Sequence, residues 1–253
     1  MDWSNIFANT LSVNSTSEIN NSFDGNSLTI ENIASASITG GEIKVNQLNI
    51  AVNTKGSVES TADSISIQNQ ITDSATASIT NATINASELN INALSSSEYK
   101  ASGVAAINDI SGDVKAYISN SIINAGTGGV NINALDKSQI TATSTCLDYN
   151  FTEASPVVSL DVSTALNKLN RSVEAYIDNG SDVTVTDGNL QVTADKQSKL
   201  NSSATSASAT ASVGLVVDVS LSGGGTFAAN QIQGDVKAYV DASTIETVNS
   251  GNV

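Results

Sequence analysis

The chemistry available to this chain is narrow. Its 253 residues include no histidine, and Arg171, Cys146 and Trp3 are the single representatives of their types. Without imidazole there is no His general base, no Ser-His-Asp or Cys-His couple and no His metal ligand, which removes most hydrolase and zinc chemistries. Carboxylate pairs such as Asp161 with Asp148 or Glu153 remain, but nothing in their spacing sets them apart as the acid and base of a lyase or glycosidase. Arg171 occupies a position held by Gly112 and Gly234 in two equivalent phrases of the chain, which reads as surface variation. The expectation is a protein that is not an enzyme.

Other residues offer binding rather than reaction. Asp178, Asn179, Asp182, Asp187 and Asn189 gather near two turns, and their oxygens would suit Ca2+ in a chain of net charge −15. No EF-hand loop and no Gly-Gly-x-Gly-x-Asp nonapeptide is present, so turn formation accounts for them more simply and calcium is a weak expectation. Cys146 has no cationic neighbour in Thr145-Cys146-Leu147 and reads as a small apolar filler; a lone cysteine allows no intramolecular disulfide. Tyr117, Tyr176 and Tyr239 recur at equivalent places, and outward rings there would be surface contacts for a glycan or a neighbouring chain.

Charge and composition bound the partners. With 10 basic against 25 acidic residues the chain lacks the cations for a nucleic-acid groove or an anionic membrane surface. No apolar run approaches a membrane span, and Met1-Asp2-Trp3-Ser4-Asn5-Ile6-Phe7 lacks the basic and apolar regions of a secretory signal. Export would then be directed from elsewhere, or the N-terminus has been cut. Ser, Thr and Asn make up roughly a third of the chain and strong helix formers are scarce, which disfavours helices.

The elements that must position these groups are visible as internal repeats. Ala77-Ser78-Ile79-Thr80 through Ile91 matches Ala36-Ser37-Ile38-Thr39 through Ile50 without a gap. Asp113-Val114-Lys115-Ala116-Tyr117-Ile118 returns as Ser172-Val173-Glu174-Ala175-Tyr176-Ile177 and Asp235-Val236-Lys237-Ala238-Tyr239-Val240. The motif alanines are Ala36, Ala77, Ala116, Ala175 and Ala238, and their steps are close to two, two, three and three times a unit of about 20 residues. Such steps suit a chain that winds in coils, some repeats holding one coil more.

Each unit contains short period-2 segments such as Leu48-Ile50-Val52, Leu89-Ile91, Val130-Ile132-Ala134 and Leu190-Val192-Ala194, bounded by Gly, Asn, Asp and Ser. The longest runs from Ala207 to Leu221, apolar at every odd position. The fold class expected is all-β: one parallel β-solenoid over residues 1–253, a right-handed β-helix of about 20 residues per coil, with about 12 coils in a rod of roughly 60 Å. A left-handed form would show a hexapeptide rhythm that is absent, and immunoglobulin-like sandwiches would need units of about 100 residues. On that coil, Val114, Ala116 and Ile118 point inward, Asp113, Lys115 and Tyr117 outward, and the three tyrosines stand about 14 Å apart.

The phrases Gly112-Asp113-Val114-Lys115-Ala116-Tyr117-Ile118, Arg171-Ser172-Val173-Glu174-Ala175-Tyr176-Ile177 and Gly234-Asp235-Val236-Lys237-Ala238-Tyr239-Val240 resemble the repeat arrays of very large bacterial secreted or cell-surface proteins of the adhesin-like, haemagglutinin-like kind. The resemblance covers nearly the whole chain and carries no catalytic motif. It implies an extracellular or cell-surface, elongated solenoid used in adhesion, coating or filament building.

The two ends add expectations about partners. Ser250-Gly251-Asn252-Val253 aligns with Asp187-Gly188-Asn189-Leu190, so the chain stops inside a repeat. It is then either a segment of a longer chain, packed against neighbouring repeats, or a unit that associates with itself end to end. Met1, Trp3, Ile6 and Phe7 suggest a cap over the first coil within residues 1–10. Thr-x-Thr pairs at Thr141 and Thr184 do not recur in the aligned earlier copies, which argues against an ice-binding face.

Two functional expectations result. The first is a non-enzymatic structural or adhesive repeat module. The second is a carbohydrate-binding solenoid, with or without calcium.

Overall fold

A computed structural model describes the backbone at residues 6–62, 66–152, 157–212, 220–249 and 253. Every element among them is a β-strand, and every strand pairing is parallel. β-Branched residues at alternate positions, with small polar residues between them, explain why: they fit a pleated surface buried on one side.

The chain alternates between two sheets. Sheet A takes β1 (Ile6–Asp24), β3 (Glu42–Thr61), β5 (Thr83–Ser95) with β6 (Glu98–Gly103), and β8 (Ile122–Asp136) with β9 (Gln139–Thr152). It continues with β11 (Asp182–Thr186), β12 (Leu190–Lys196), β13 (Lys199–Ser212) and β16 (Thr244–Val248). Sheet B takes β2 (Ser27–Thr39), β4 (Ser66–Thr80), β7 (Ala105–Ser119), β10 (Val157–Asp178), β14 (Ser220–Gln233) and β15 (Val236–Val240). One pass through sheet A and back through sheet B makes a layer, and each layer stacks on the previous one. These all-β, parallel, stacked layers are consistent with a β-solenoid.

The pairing register corrects the coil length. Ala36 pairs with Ala77, Ala77 with Ala116, Ala116 with Ala175 and Ala175 with Ala238, so successive copies of the motif are direct neighbours. Side-chain hydrogen bonds between adjacent layers join residues 41, 39, 59 and 63 apart, and each of those steps is a single layer. The unit of about 20 residues corresponds to one strand with its corner, which is half of a narrow layer. Longer layers arise by widening: Gly103 pairs with Ser144, yet Ala105 pairs with Thr164, so 145–152 and 157–163 extend both sheets beyond the first three layers. The next layer covers that extension through 205–212 and 220–226.

Two further expectations change. Residues 6–10 belong to β1 rather than to a cap, because Ile6, Phe7 and Ala8 pair with Ile43, Lys44 and Val45; Met1 and Trp3 lie outside the described residues. The run from Ala207 to Leu221 is no single strand: Ala207 is in β13 of sheet A and Leu221 in β14 of sheet B. Residues 213–219 lie outside the description.

The interior is banded across each layer. Beside one corner, Ile38, Ile79, Ile118 and Ile177 of sheet B face Leu48, Leu89, Ile91 and Ile132 of sheet A in the largest apolar cluster. Further along come a polar band, a second apolar cluster around Ile71, Tyr99, Ile110 and Leu169, an asparagine band, and an alanine-rich cluster around Ala101, Ala106 and Ala165. Where the extension begins, Ser163 donates directly to Ser144 across the gap at 2.7 Å, so hydroxyl-sized groups separate the sheets at that point. Side-chain volume falls from Ile to Ala to Ser, and the two sheets converge accordingly.

The corner next to the largest cluster is built the same way in each layer. Gly40, Asn81, Asn120, Asn179 and Ala242 all adopt left-handed φ, between 46° and 71°. Glycine and asparagine tolerate that conformation, so the turn chemistry repeats with the strands.

Candidate functional site

Sheet B places the three expected surface tyrosines. Val114, Ala116 and Ile118 are fully buried, as are Val173, Ala175 and Ile177, so the intervening Lys115, Tyr117, Glu174 and Tyr176 project outward as parity requires. Since Tyr117 pairs with Tyr176 and Tyr176 with Tyr239, the rings come together rather than standing about 14 Å apart. Centroids lie 4.8 and 5.0 Å apart with interplanar angles of 4° and 7°, one continuous stack of three phenols. The preceding layer has Ser78 at this position, so the column begins at Tyr117.

Charged columns flank the stack. Lys115 lies 3.1 Å from Asp113 and 3.6 Å from Glu174 of the next layer, while Lys237 pairs with Asp235 at 2.6 Å. Burial pulls Lys115 toward the neutral form, but Asp113 and Glu174 outweigh it and hold the ammonium above its ordinary value. Tyr176, covered on both faces, has its phenol pushed well up, first by burial and then by Tyr117 and the carboxylate of Asp178.

The five turn residues considered for calcium do not converge. Asp178, Asn179 and Asp182 sit at the corner between β10 and β11, whereas Asp187 and Asn189 follow the far end of β11. Asn179 and Asp187 have left-handed φ and so serve the turns themselves. Among the described residues no group of three or more His, Cys, Asp or Glu is arranged to hold a metal. Asp161 is buried, and the side chains of Asp148 and Glu153 lie outside the described residues.

A second, internal constellation escaped the sequence reading. Arg171 is not surface variation: its side chain is fully buried, with Nη1 donating to Asp136 Oδ1 at 3.0 Å, Ser138 Oγ at 2.7 Å and Ser95 Oγ at 2.9 Å. Its Nη2 lies 3.0 Å from Asp73 Oδ2, a charge contact without hydrogen-bond alignment, and Nε has no hydrogen-bond partner. Tyr99 and Ser95 both donate to Asp73 Oδ2 at 2.9 Å, and Ser198 donates to Asp136 Oδ2 at 2.6 Å. Lys196 completes the set, donating to the carbonyl oxygens of Arg171 and Gln233.

These groups form a polar spine along the stacking direction, between the two apolar clusters. Two acids and two cations leave it electrically neutral. Burial opposes charge on Arg171, yet Asp73 and Asp136 outweigh that and keep it protonated. Burial likewise raises the Asp136 carboxyl, but Arg171 and the hydroxyls of Ser198 and Ser138 bring it below the ordinary carboxylate value. Gly112 and Gly234 flank Arg171 in register with φ of 123° and 95°. A Cβ on Gly112 would lie 2.2 Å from the carbonyl oxygen of Asp73, so this layer has no space for a side chain there.

The asparagine band is also internal. Asn69 donates to Asn108, Asn108 to Asn167 and Asn167 to Asn230, at 2.8, 2.8 and 3.0 Å. Parity along β4 and β10 is the signal that would have found both bands: Asn69 and Asp73 share the phase of Ile71 and Ala75, and Asn167 and Arg171 that of Leu169 and Val173.

Searches of protein families, of curated proteins and of solved structures find no match to the chain. The tyrosine column and the spine are therefore read from their geometry.

Proposed function

We propose that the chain is a non-enzymatic structural module of an extracellular or cell-surface bacterial protein, whose work is to build and hold a stack of β layers in an adhesive or filamentous assembly. The observation that carries this reading is that five copies of one motif lie in direct register, with Ala, Val, Ile, Asn and Tyr each continuing as columns from layer to layer. A right-handed winding is the hand favoured for parallel strands joined by crossovers. The similarity of the Asp-Val-Lys-Ala-Tyr phrases to adhesin-like repeat arrays supports the location. The ionisable groups of the spine are engaged with one another in the interior, which supports a structural role for them.

Negative-stain electron microscopy over a range of protein concentrations tests this reading. Elongated particles that join along the stacking axis, to each other or to neighbouring repeats, are expected. Compact particles that turn over a polysaccharide would overturn it. Carbohydrate binding is the second reading, favoured by the outer face of Tyr239 at the rim of a cleft with Leu190, Val192 and Val240. It requires glycan binding that is lost in Tyr239→Ala.

A further inference from the structure

The tyrosine column has a chemistry of its own, independent of the scaffold role. Tyr117, Tyr176 and Tyr239 are in van der Waals contact ring to ring, their planes within 4° and 7° of parallel, and they stand on the outer face of sheet B between buried residues. Tyr99, by contrast, is buried and donates its O–H to Asp73. The stack leaves little ring face for a sugar, since each internal face is covered by the next phenol. What it does provide is two pairs of phenols already held at contact distance by strands that cannot slide past one another.

We infer that this column is a site of oxidative cross-linking, at which a peroxide-driven one-electron oxidant of the peroxidase class joins Tyr176 to Tyr117 or to Tyr239 as dityrosine. Two phenols each give one electron to the oxidant and release the O–H proton to water. The two phenoxyl radicals then form one carbon–carbon bond between their ortho positions. The hydrogen on each of those carbons moves to the phenol oxygen and restores both rings. The pair has lost two hydrogens, and one peroxide has become two waters.

Proximity favours this pair over encounters between molecules, because the reacting carbons are held together before either radical forms. The product would close a loop of 59 or 63 residues by a covalent bond between adjacent layers. Like other long-loop cross-links, it would raise the thermal unfolding midpoint.

The test treats the purified chain at low micromolar concentration with peroxidase and hydrogen peroxide. It follows dityrosine fluorescence and maps linked peptides by mass spectrometry. Expected is a product of monomer size that is two hydrogens lighter, with peptides joined through Tyr176, at a yield independent of protein concentration. Tyr176→Phe keeps the ring stack but separates the remaining phenols by two layers, and should bring the fluorescence to background. Tyr117→Phe should retain the Tyr176–Tyr239 link. The proposal fails if Tyr176→Phe forms dityrosine as well as the parent, if the linked peptides contain Tyr99 or Tyr149, or if the product is chiefly dimers. A complete absence of dityrosine in the parent overturns it too.

Discussion

Arg171 bridges Asp73 and Asp136, two carboxylates from different layers, with both contacts at 3.0 Å and none of the three side chains reaching solvent. Removing the guanidinium leaves two buried acids with hydroxyl donors but without the cation that touches both. Arg171→Ala is expected to lower unfolding free energy by about 3–5 kcal/mol, the cost of breaking a buried pair. Arg171→Gly should be no milder, although Gly112 and Gly234 occupy the same column. Urea unfolding monitored by circular dichroism measures both.

Acid should act through the same group. Asp136 titrates below its unfolded value, so its contribution is complete above about pH 4 and is lost as pH falls through the folded value. Stability measured from pH 6 downward should therefore decline below about 4. Asp136→Asn removes this carboxyl and should flatten that part of the curve relative to the parent, from a lower starting stability.

The asparagine band offers a contrast between inside and outside. Asn167 donates to Asn230 and to the carbonyl of Asn201, and accepts from Asn108. Asn167→Ala should cost about 1–3 kcal/mol, since buried partners are left unsatisfied. Asn9, which accepts from Asn46 on an exposed face, should tolerate Ala within about 0.5 kcal/mol. Parallel thermal melts of the two variants separate them.

Ala242 is the one β-carbon-bearing, non-asparagine residue in the left-handed column of the corner, at φ 46°. Ala242→Gly should stabilise the chain by about 1 kcal/mol through relief of that conformation, less some unfolded-state entropy. Gly112→Ala should do the opposite, because its Cβ meets the Asp73 backbone at 2.2 Å. Melting temperatures moving in the same direction for both would contradict this account.

Much of the fold was legible because stacked parallel strands demand similar side chains at matching positions. The gap-free match of Ala36–Ile50 to Ala77–Ile91 is the register of β2 on β4 and of β3 on β5. The length of a layer was not legible, since a period-2 pattern marks strands but does not say how many strands close one turn. A spacing of about 20 residues describes a strand and its corner as well as it describes a small coil. The same ambiguity put the tyrosines layers apart when they are neighbours. Arg171 was misread because glycine in equivalent positions suggested an exposed site. Glycine was there for close backbone approach, and only the alternation through Leu169 and Val173 points Arg171 inward.

The widening from the third layer to the fourth leaves one margin of the stack fixed and the other adjustable, like pages of unequal width bound along one side. At the bound margin, Gly40, Asn81, Asn120, Asn179 and Ala242 keep every layer in step. At the other, the strands lengthened together by adding 145–152 and 157–163, while on the bound side the same step shows only a two-residue register shift, between the pairs Ala86–Ala125 and Glu88–Gly129. Layer width and layer order are thus independent variables in this architecture. Extra sequence at the loose margin changes the reach of one page, while the two residues gained beside the binding, before Val130, are absorbed as a local bulge that leaves Leu89 on Val130 and Ile91 on Ile132.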